Sequence, residues 1–127
     1  MIDISLLTIE EAEALPKNIR EYGGRWWLRT PGDYPDDVTC VHLGGSIINS
    51  IYVGYNNYAV RPVITVSNLK DLKVSIRDTI FIQGQKYVVI SDNKILYNDE
   101  VVYHRFSNES NDYDKSEIKK IVDNWLK

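Results

Sequence analysis

The side chains of this chain best suited to nucleophilic or acid–base catalysis are one cysteine and two histidines. Cys40 and His42 are two positions apart in a strand-like segment, so both are expected on one face of that strand. His104 lies near the end of another β segment. Neither histidine lies in a nucleophile-elbow or cysteine-protease motif, where a base would reach a nucleophile. We interpret Cys40 and His42 as a buried thiol beside a partly exposed imidazole. A small hydrolase or transferase that uses His42 or His104 with a nearby carboxylate is the alternative.

One loop carries three aspartates, Asp33, Asp36 and Asp37, whose oxygen atoms are ligands of the kind that calcium prefers. The loop contains proline and lacks the glycine-punctuated Asp-x-Asp-x-Asp spacing of a calcium-binding loop. We interpret these carboxylates as solvated turn residues, and the sequence predicts no metal or other cofactor. The glycine pairs at 23–24 and 44–45 do not link a strand to a helix, so neither predicts a phosphate-binding loop.

The composition of residues 48–58 suggests molecular recognition, because most of these residues are tyrosine, asparagine or serine. Tyrosine offers a large rigid contact area at low entropic cost, and asparagine and serine supply adaptable hydrogen bonds. A binding surface and a solvent-facing hairpin whose tyrosines cover sheet edges fit this pattern equally well. The loop at residues 33–37 joins the same face if the two loops are neighbours. The candidate binding face comprises Tyr34, Asp36, Asn49, Tyr52, Tyr55, Asn57 and Tyr58.

Two adjacent tryptophans, Trp26 and Trp27, run directly into a Pro-Gly turn. On a strand their side chains point to opposite sides, so at least one belongs to the core. The other is either a second core residue or an exposed anchor. We interpret Arg29 and Arg61 as partners of buried carbonyls or carboxylates that hold loops in place.

Length and charge limit the possible classes of protein. A chain of 127 residues is expected to form one domain. Its net charge of −3, with no stripe of lysine or arginine, argues against nucleic acid as the main partner. The single cysteine excludes an internal disulfide. The first residues show no signal-peptide pattern, and no apolar run approaches the roughly 20 residues that span a bilayer. We expect a soluble protein in the cytoplasm of a host cell or associated with a virion.

Two segments are expected to form helices. Thr8 and Glu11 have the spacing of a capping box, which predicts a helix that stops before Pro16. In the second segment, Asp114 is expected to cap the helix and Glu117 to close a similar box. One apolar face then follows at helical spacing, formed by Ile118, Ile121, Val122, Trp125 and Leu126.

The chain between these helices has the pattern of β-structure. Glycines predict turns at residues 44–45 and 83–85. Pro62 lies inside a β-branched run and marks an edge position or a bulge, since it has no N–H for a ladder. Strands are predicted at residues 26–30, 38–43, 46–53, 58–66, 74–76, 80–82, 87–90, 94–97 and 101–105.

Two separated motifs resemble those of a known family. They read Trp-Trp-Leu-Arg-Thr-Pro-Gly at residues 26–32 and Ala-Val-Arg-Pro-Val at residues 59–63. They resemble the Trp-Trp-Leu-Arg-Ser-Pro-Gly and Gly-Val-Arg-Pro-Ala-Leu segments of an uncharacterised family common in Firmicutes and their phages, with Thr30 and Ala59 as departures. That family looks like a relative of the C-type-lectin-like fold, in the branch of the formylglycine-generating enzymes. The resemblance implies an α+β C-type-lectin-like domain over residues 1–127, with two helices on a twisted antiparallel sheet and long loops.

The order of the motifs differs from that of the family. In longer members, a segment similar to residues 78–125 comes first and ends in a Ser-x-(Ile/Leu)-(Lys/Arg)-x-x-(Leu/Val)-x-x-Trp-Leu helix. Here the matching helix, with Ser116 and Trp125, follows the arginine–proline segment. The first and last strands of the C-type-lectin-like fold are paired. A short connector such as residues 67–73 can therefore join them, and the new chain termini then lie between the two helices. The resemblance therefore implies a circular permutant; domain swapping between two chains gives the same order.

The resemblance implies a scaffold for binding loops and carries no known activity. Calcium-dependent lectins of this fold use an acidic-proline-asparagine motif and disulfides that this sequence lacks, and the sulfatase-modifying enzymes use a cysteine pair that Cys40 alone cannot supply. We expect a non-enzymatic binding module of phage, prophage or bacterial origin, whose partner is a protein or another macromolecule and neither nucleic acid nor membrane. A virion structural or assembly protein, active as an oligomer, is a further alternative.

Overall fold

A computed structural model describes residues 3–127 as an α+β protein with two antiparallel sheets and few helices. The helices are α1 (Ile9–Glu13), α2 (Lys17–Arg20) and α3 (Glu117–Asp123), with 3-10 turns at Leu69–Leu72 and Tyr113–Lys115. The strands are β1 (Asp3–Ser5), β2 (Trp26–Pro31), β3 (Asp37–Val41), β4 (Ile47–Tyr52), β5 (Val63–Thr65), β6 (Thr79–Ile82), β7 (Gln85–Val89) and β8 (Lys94–Tyr97).

The larger sheet has five strands in the order β1-β5-β8-β7-β6. The predicted hairpin of β6 and β7 is confirmed, and Ile82 pairs with Gln85 across a turn made by Gln83 and Gly84. Both turn residues have positive φ, 54° and 80°, as a tight two-residue hairpin requires. β1 pairs with β5. It was not predicted from the sequence, because a strand of three residues is too short to show alternation.

The smaller sheet has three strands in the order β2-β3-β4. β3 and β4 form a hairpin around the predicted turn at residues 44–45, and the register shifts between the pairs at Val38 and Cys40. Beside β2 runs the second motif: the Ala59 N–H donates to the Arg25 carbonyl at 2.6 Å, and the Trp27 N–H donates to the Ala59 carbonyl at 3.1 Å. The two motifs named above therefore lie side by side.

Three strand predictions were wrong in whole or in part. Of residues 58–66, only β5 is a strand. Ala59 makes isolated bridges to Trp26 and Tyr103, and after Pro62 the chain pairs with other strands. Residues 74–76 form no strand, since left-handed backbone at Lys73 and Arg77 brackets them. Residues 101–105 make only the isolated bridge at Tyr103.

The first helix was predicted correctly and the cap of the last was not. The Thr8 hydroxyl accepts from the Glu11 N–H, and the Glu11 carboxylate accepts from the Thr8 N–H, which completes the capping box. At α3 the cap is Ser116, whose hydroxyl accepts from the Lys119 N–H. Asp114 lies inside the 3-10 turn at Tyr113–Lys115, two positions before the residue that caps α3. It therefore cannot cap the helix.

Both tryptophans are fully buried, on opposite sides of β2. Trp26 packs in the cluster that contains Leu7 and Leu28, whereas Trp27 packs in the cluster that contains Phe106 and Val122. The second tryptophan is therefore a core residue and not an exposed anchor. Placing one large ring on each side fixes the smaller sheet between two hydrophobic clusters, and this sheet carries the candidate site.

Candidate functional site

A small cavity opens at one end of the three-stranded sheet and has a volume of about 270 Å³. The residue before β2 and the residue after β3 supply a guanidinium and an imidazole, and the loop after β4 supplies two phenol rings and an amide. We call this the Arg25 pocket. Its lining consists of Arg25, His42, Tyr55, Asn57 and Tyr58.

Arg25 and His42 are joined by a hydrogen bond, with Arg25 Nε donating to His42 Nε2 at 3.1 Å. Their meeting follows from strand register: Trp26 pairs with Val41, so the residue before the first lies opposite the residue after the second. Because Nε2 accepts this bond, the proton of the neutral imidazole lies on Nδ1. Among residues 3–127, Arg25 Nη1 and Nη2 make no hydrogen bond or ion pair.

Four aromatic rings form a continuous series from the core to the surface at this pocket. Trp27 stacks on Tyr58 with ring centroids 4.5 Å apart, and Tyr58 lies parallel to Tyr55 at 6.1 Å. Tyr55 meets Tyr52 edge to face at 5.6 Å. The two inner rings are buried, with Tyr58 only 5% exposed, whereas Tyr55 and Tyr52 are about half exposed, at 49% and 44%. The two outer rings are thus held by a buried support, which limits their rotamer freedom.

Gly54 allows the outermost ring to take its position. A Cβ atom at Gly54 would lie 2.5 Å from a ring carbon of Tyr52, much closer than van der Waals contact. Any other residue at this position therefore has to displace the ring of Tyr52 or the loop. The glycine is required by close approach of an aromatic side chain and not by its backbone angle.

The thiol and the phenol beside Arg25 stay protonated at neutral pH. Burial raises the pKa of Cys40 to about 12, although the nearby Arg25 charge opposes the shift. Burial also raises the pKa of Tyr58, with Cys40 adding to the shift and Arg25 reducing it. The Arg25 guanidinium is therefore the only permanent formal charge among the lining residues.

The predicted binding face is brought together in part. Tyr55 and Asn57 line the pocket and Tyr52 contacts Tyr55. The two loops are neighbours, as expected, because the Val53 N–H donates to the Asp36 carbonyl at 2.9 Å. Tyr34, Asp36 and Asn49 are exposed but lie outside the pocket lining.

The prediction for Tyr58 was wrong in one respect. Its ring is 5% exposed and belongs to the cluster around Trp27 and Val60, so it is a core residue whose edge reaches the pocket. The sequence pattern could not show this, because the loop after β4 has no regular period that would separate the buried Tyr58 from the exposed Tyr52 and Tyr55. Replacing Tyr58 by alanine would damage the fold and cannot serve as a clean test of binding.

Arg25 and His42 were not predicted as a pair, although the sequence holds a partial signal. Once β2 and β3 are paired at Trp26 and Val41, the two residues must lie opposite each other. The tryptophan pair and the hairpin turn identify the strands, but neither determines the register. A one-residue slip would have placed Arg25 elsewhere.

In the described part of the chain, neither histidine forms a hydrogen bond or ion pair with a carboxylate. His42 Nε2 is occupied by Arg25, and His104 Nδ1 lies 2.7 Å from the Arg105 carbonyl. Glu117, the acidic residue near His104, has both carboxylate oxygens bound by Arg105, at 2.5 and 2.7 Å. Over residues 3–127 the structure places no group of three or more His, Cys, Asp or Glu side chains where it could hold a metal ion.

Arg61 has the structural role that the sequence predicts, and Arg29 makes one contact of the expected kind. Arg61 is fully buried, and its guanidinium donates to the Tyr97 carbonyl, the Ile19 carbonyl and the Asn98 side chain at 2.6–2.9 Å. Arg29 Nε donates to the Leu6 carbonyl at 3.0 Å.

A larger cavity of about 560 Å³ runs along α3 beside Trp125, Ile121 and Val102. The indole N–H of Trp125 already donates to the Tyr87 hydroxyl at 2.9 Å, so this polar group is satisfied within the protein. The Arg25 pocket is smaller but combines a charge, unpaired donors and aromatic rings, which is the combination that binding sites use.

Comparison of the chain with protein-family models, with curated proteins and with solved structures found no match. Within residues 3–127 no helix is long and apolar enough to cross a membrane.

Proposed function

We propose that this protein is a non-enzymatic binding module that recognises a protein through Tyr52, Tyr55, Asn57 and the Arg25 pocket. The observation that carries the proposal is the aromatic series, in which two half-exposed tyrosines are supported by a buried tyrosine and a buried tryptophan. Exposed rings that are already ordered lose little conformational entropy when a partner binds.

The polar groups at the same place favour a specific partner over a merely apolar one. Arg25 has two guanidinium nitrogens available, and Asn57 adds an amide beside the rings. Arginine and tyrosine are the residues that most often carry binding energy at protein interfaces. Tyr34, Asp36 and Asn49, on neighbouring exposed segments, would form the rim of such an interface.

The fold is proposed to be C-type-lectin-like and the protein to come from a phage, prophage or bacterium, acting in the host cytoplasm or on a virion. Support comes from the resemblance and from the hydrogen bonds that join its two motifs at Arg25, Trp27 and Ala59. The structure also pairs β1 with β5 and packs α3 on β1. This arrangement agrees with the relocated chain opening that a circular permutant requires.

The connector after β5 does not have the place in the sheet that the resemblance implies. The connector after β5 leads to β6, which lies at the far edge of the sheet and is separated from β5 by β8 and β7. The connector therefore does not join two paired strands as expected. In the proposed permutant, the strand that pairs with β5 is β8, the third strand after the connector and not the first.

The proposal is tested by capture of partners from bacterial lysate on the immobilised protein, identified by mass spectrometry. The test variant replaces Tyr52 and Tyr55 by alanine, and the matched control replaces Tyr103, a tyrosine with a similar exposure of 52% that lies outside the pocket. We expect a partner that wild type and Tyr103→Ala retain and the double variant loses. Equal capture by all three proteins would contradict the proposal.

An assembly protein is the second candidate, and one observation favours it. Edge strand β6 and the segment before it expose the large apolar side chains of Leu72, Ile76 and Phe81. An uncovered apolar edge strand can pair with the same strand of a second copy. Light scattering at rising concentration, with Phe81→Lys as the variant, distinguishes this candidate: a dimer that the variant dissociates would favour assembly through β6.

A further inference from the structure

We propose that the Arg25 pocket binds a carboxylate group of the partner, held end-on by Arg25 Nη1 and Nη2. This inference rests on the proposed binding function and names the chemistry that the pocket would recognise. It is carried by the position of the guanidinium, which lines a cavity and is only partly used by the protein itself.

The hydrogen bond to His42 determines which edge of the guanidinium is available. Nε donates to His42 Nε2 at 3.1 Å, so the side-on edge that contains Nε is engaged. The end-on edge, made by the two η nitrogens, has no partner in the part of the chain that the structure describes. Two parallel N–H groups on this edge match the two oxygens of a carboxylate.

His42 also limits where the guanidinium can go. Because it accepts from Nε, rotation of Arg25 towards solvent would break a hydrogen bond within the protein. The guanidinium is therefore oriented before a ligand arrives, which reduces the entropic cost of binding. His42 is a positioning residue in this account and does not touch the carboxylate.

Charge favours a carboxylate over a phosphate. Arg25 supplies a single positive charge, and the other lining residues, His42, Tyr55, Asn57 and Tyr58, carry no permanent charge. A carboxylate brings one negative charge, whereas a phosphate monoester brings close to two at neutral pH. In a protein with net charge −3, the second charge of a phosphate would be left without a counter-ion in this pocket.

The neighbouring groups fit a carboxylate that belongs to a peptide. Asn57 and the tyrosine hydroxyls are hydrogen-bond donors around the same cavity, and the exposed ring of Tyr55 offers apolar contact to the adjoining chain. The carboxylate can come from an Asp or Glu side chain or from the C-terminus of the partner. Both present the same two oxygens.

The test is titration of the ¹⁵N-labelled protein, observed by NMR, with short glycine peptides that differ in one group. One peptide has an internal glutamate and an amidated end, the second has a free C-terminal carboxylate, and the third has glutamine and an amidated end. We expect shifts at residues 25, 42 and 55–58 with at least one carboxylate peptide, and none with the neutral peptide. The peptide that binds identifies the source of the carboxylate.

Two variants make the titration specific. Arg25→Gln removes the charge and should weaken binding of the carboxylate peptide by at least about tenfold. Arg77→Gln changes an exposed arginine outside the pocket and should leave binding unchanged. Equal binding by both variants, shifts spread away from the pocket, or stronger binding of inorganic phosphate than of either carboxylate peptide would overturn the inference.

The failure of this inference is distinguishable from failure of the proposed function. If the Tyr52/Tyr55 variant loses a captured partner while the carboxylate peptides bind no better than the neutral one, the binding face stands and the carboxylate assignment is wrong. If Arg25→Gln loses both the peptide and the captured partner, both proposals are supported.

Discussion

Two arginines in this molecule each lie beside aromatic rings, and they differ in how their donors are used. The Arg61 guanidinium lies 4.5 Å from the ring centroid of Tyr22 and 4.8 Å from that of Trp26, and donates three hydrogen bonds to the protein. Arg25 makes one such bond, to His42, at the wall of an open cavity. The first residue is enclosed by the fold and the second faces outward.

The difference shows how a structural arginine can be separated from a candidate functional one. Burial lowers the pKa of Arg61 to about 10, yet the residue stays charged at neutral pH and its charge is shared among oxygen acceptors. A buried charge is tolerated only when its donors are satisfied within the protein. Arg25 instead lies at a cavity wall beside two tyrosine rings and an amide, and its hydrogen bond to His42 orients the guanidinium. This combination makes Arg25 the candidate for binding.

The largest expected effect is on stability when Arg61 is removed. Arg61→Met would leave the buried carbonyls of Tyr97 and Ile19 without their donor, and each buried unpaired group costs about 1–3 kcal/mol. We expect a loss of roughly 3–5 kcal/mol in the free energy of unfolding, measured in urea. Arg25→Gln, measured in parallel, should change it by less than about 1 kcal/mol. Similar losses for both arginines would remove the contrast.

The second prediction extends the same contrast to the tyrosines. Tyr58→Ala removes a ring that stacks on Trp27 in the core and should cost about 3–4 kcal/mol of unfolding free energy. Tyr55→Ala removes a half-exposed ring and should cost about 1 kcal/mol or less. Thermal or urea unfolding of the two variants checks the difference. A Tyr55 variant as unstable as the Tyr58 variant would show that the outer ring is part of the core.

A smaller and more local effect concerns Cys40, which is buried in the core cluster that contains Tyr58. Its raised pKa of about 12 leaves roughly one thiol in 10⁴ ionised at about pH 8, so an alkylating reagent should label it slowly in the folded protein and readily in denaturant. The sign of the pH effect on folding follows from the same shift. The folded pKa is above the unfolded value of about 9, so stability falls as pH rises from there towards 12. Rapid labelling of the folded protein would contradict the burial of this thiol.

The parts of the fold that could be predicted are those in which residues close together in the sequence determine the local structure. The capping box at Thr8 and Glu11 and the hairpin at Gln83 and Gly84 are of this kind. The cap at Ser116 was not predicted, because the 3-10 turn before it has no local signal. The turn residue Tyr113 packs near Phe106. The four-residue helix α2 and the three-residue strand β1 are too short for a periodic signal.

The candidate site was predictable only in part, for a physical reason. Composition predicted Tyr52, Tyr55 and Asn57 as binding residues, because residue type can be read from the sequence without knowing the fold. The meeting of Arg25 with His42 depends on the register of β2 and β3, and the burial of Tyr58 depends on the ring of Trp27 behind it. Contacts between residues distant in sequence leave no local pattern.

Partner capture with Arg25→Gln, alongside the unfolding free energy of the same variant, tests the central claim most directly. We expect stability to stay within about 1 kcal/mol of wild type while the captured partner is lost, as for a residue whose open donors serve binding. Unchanged capture by a stably folded Arg25→Gln protein would contradict the claim, and so would a loss of stability comparable with that of Arg61→Met.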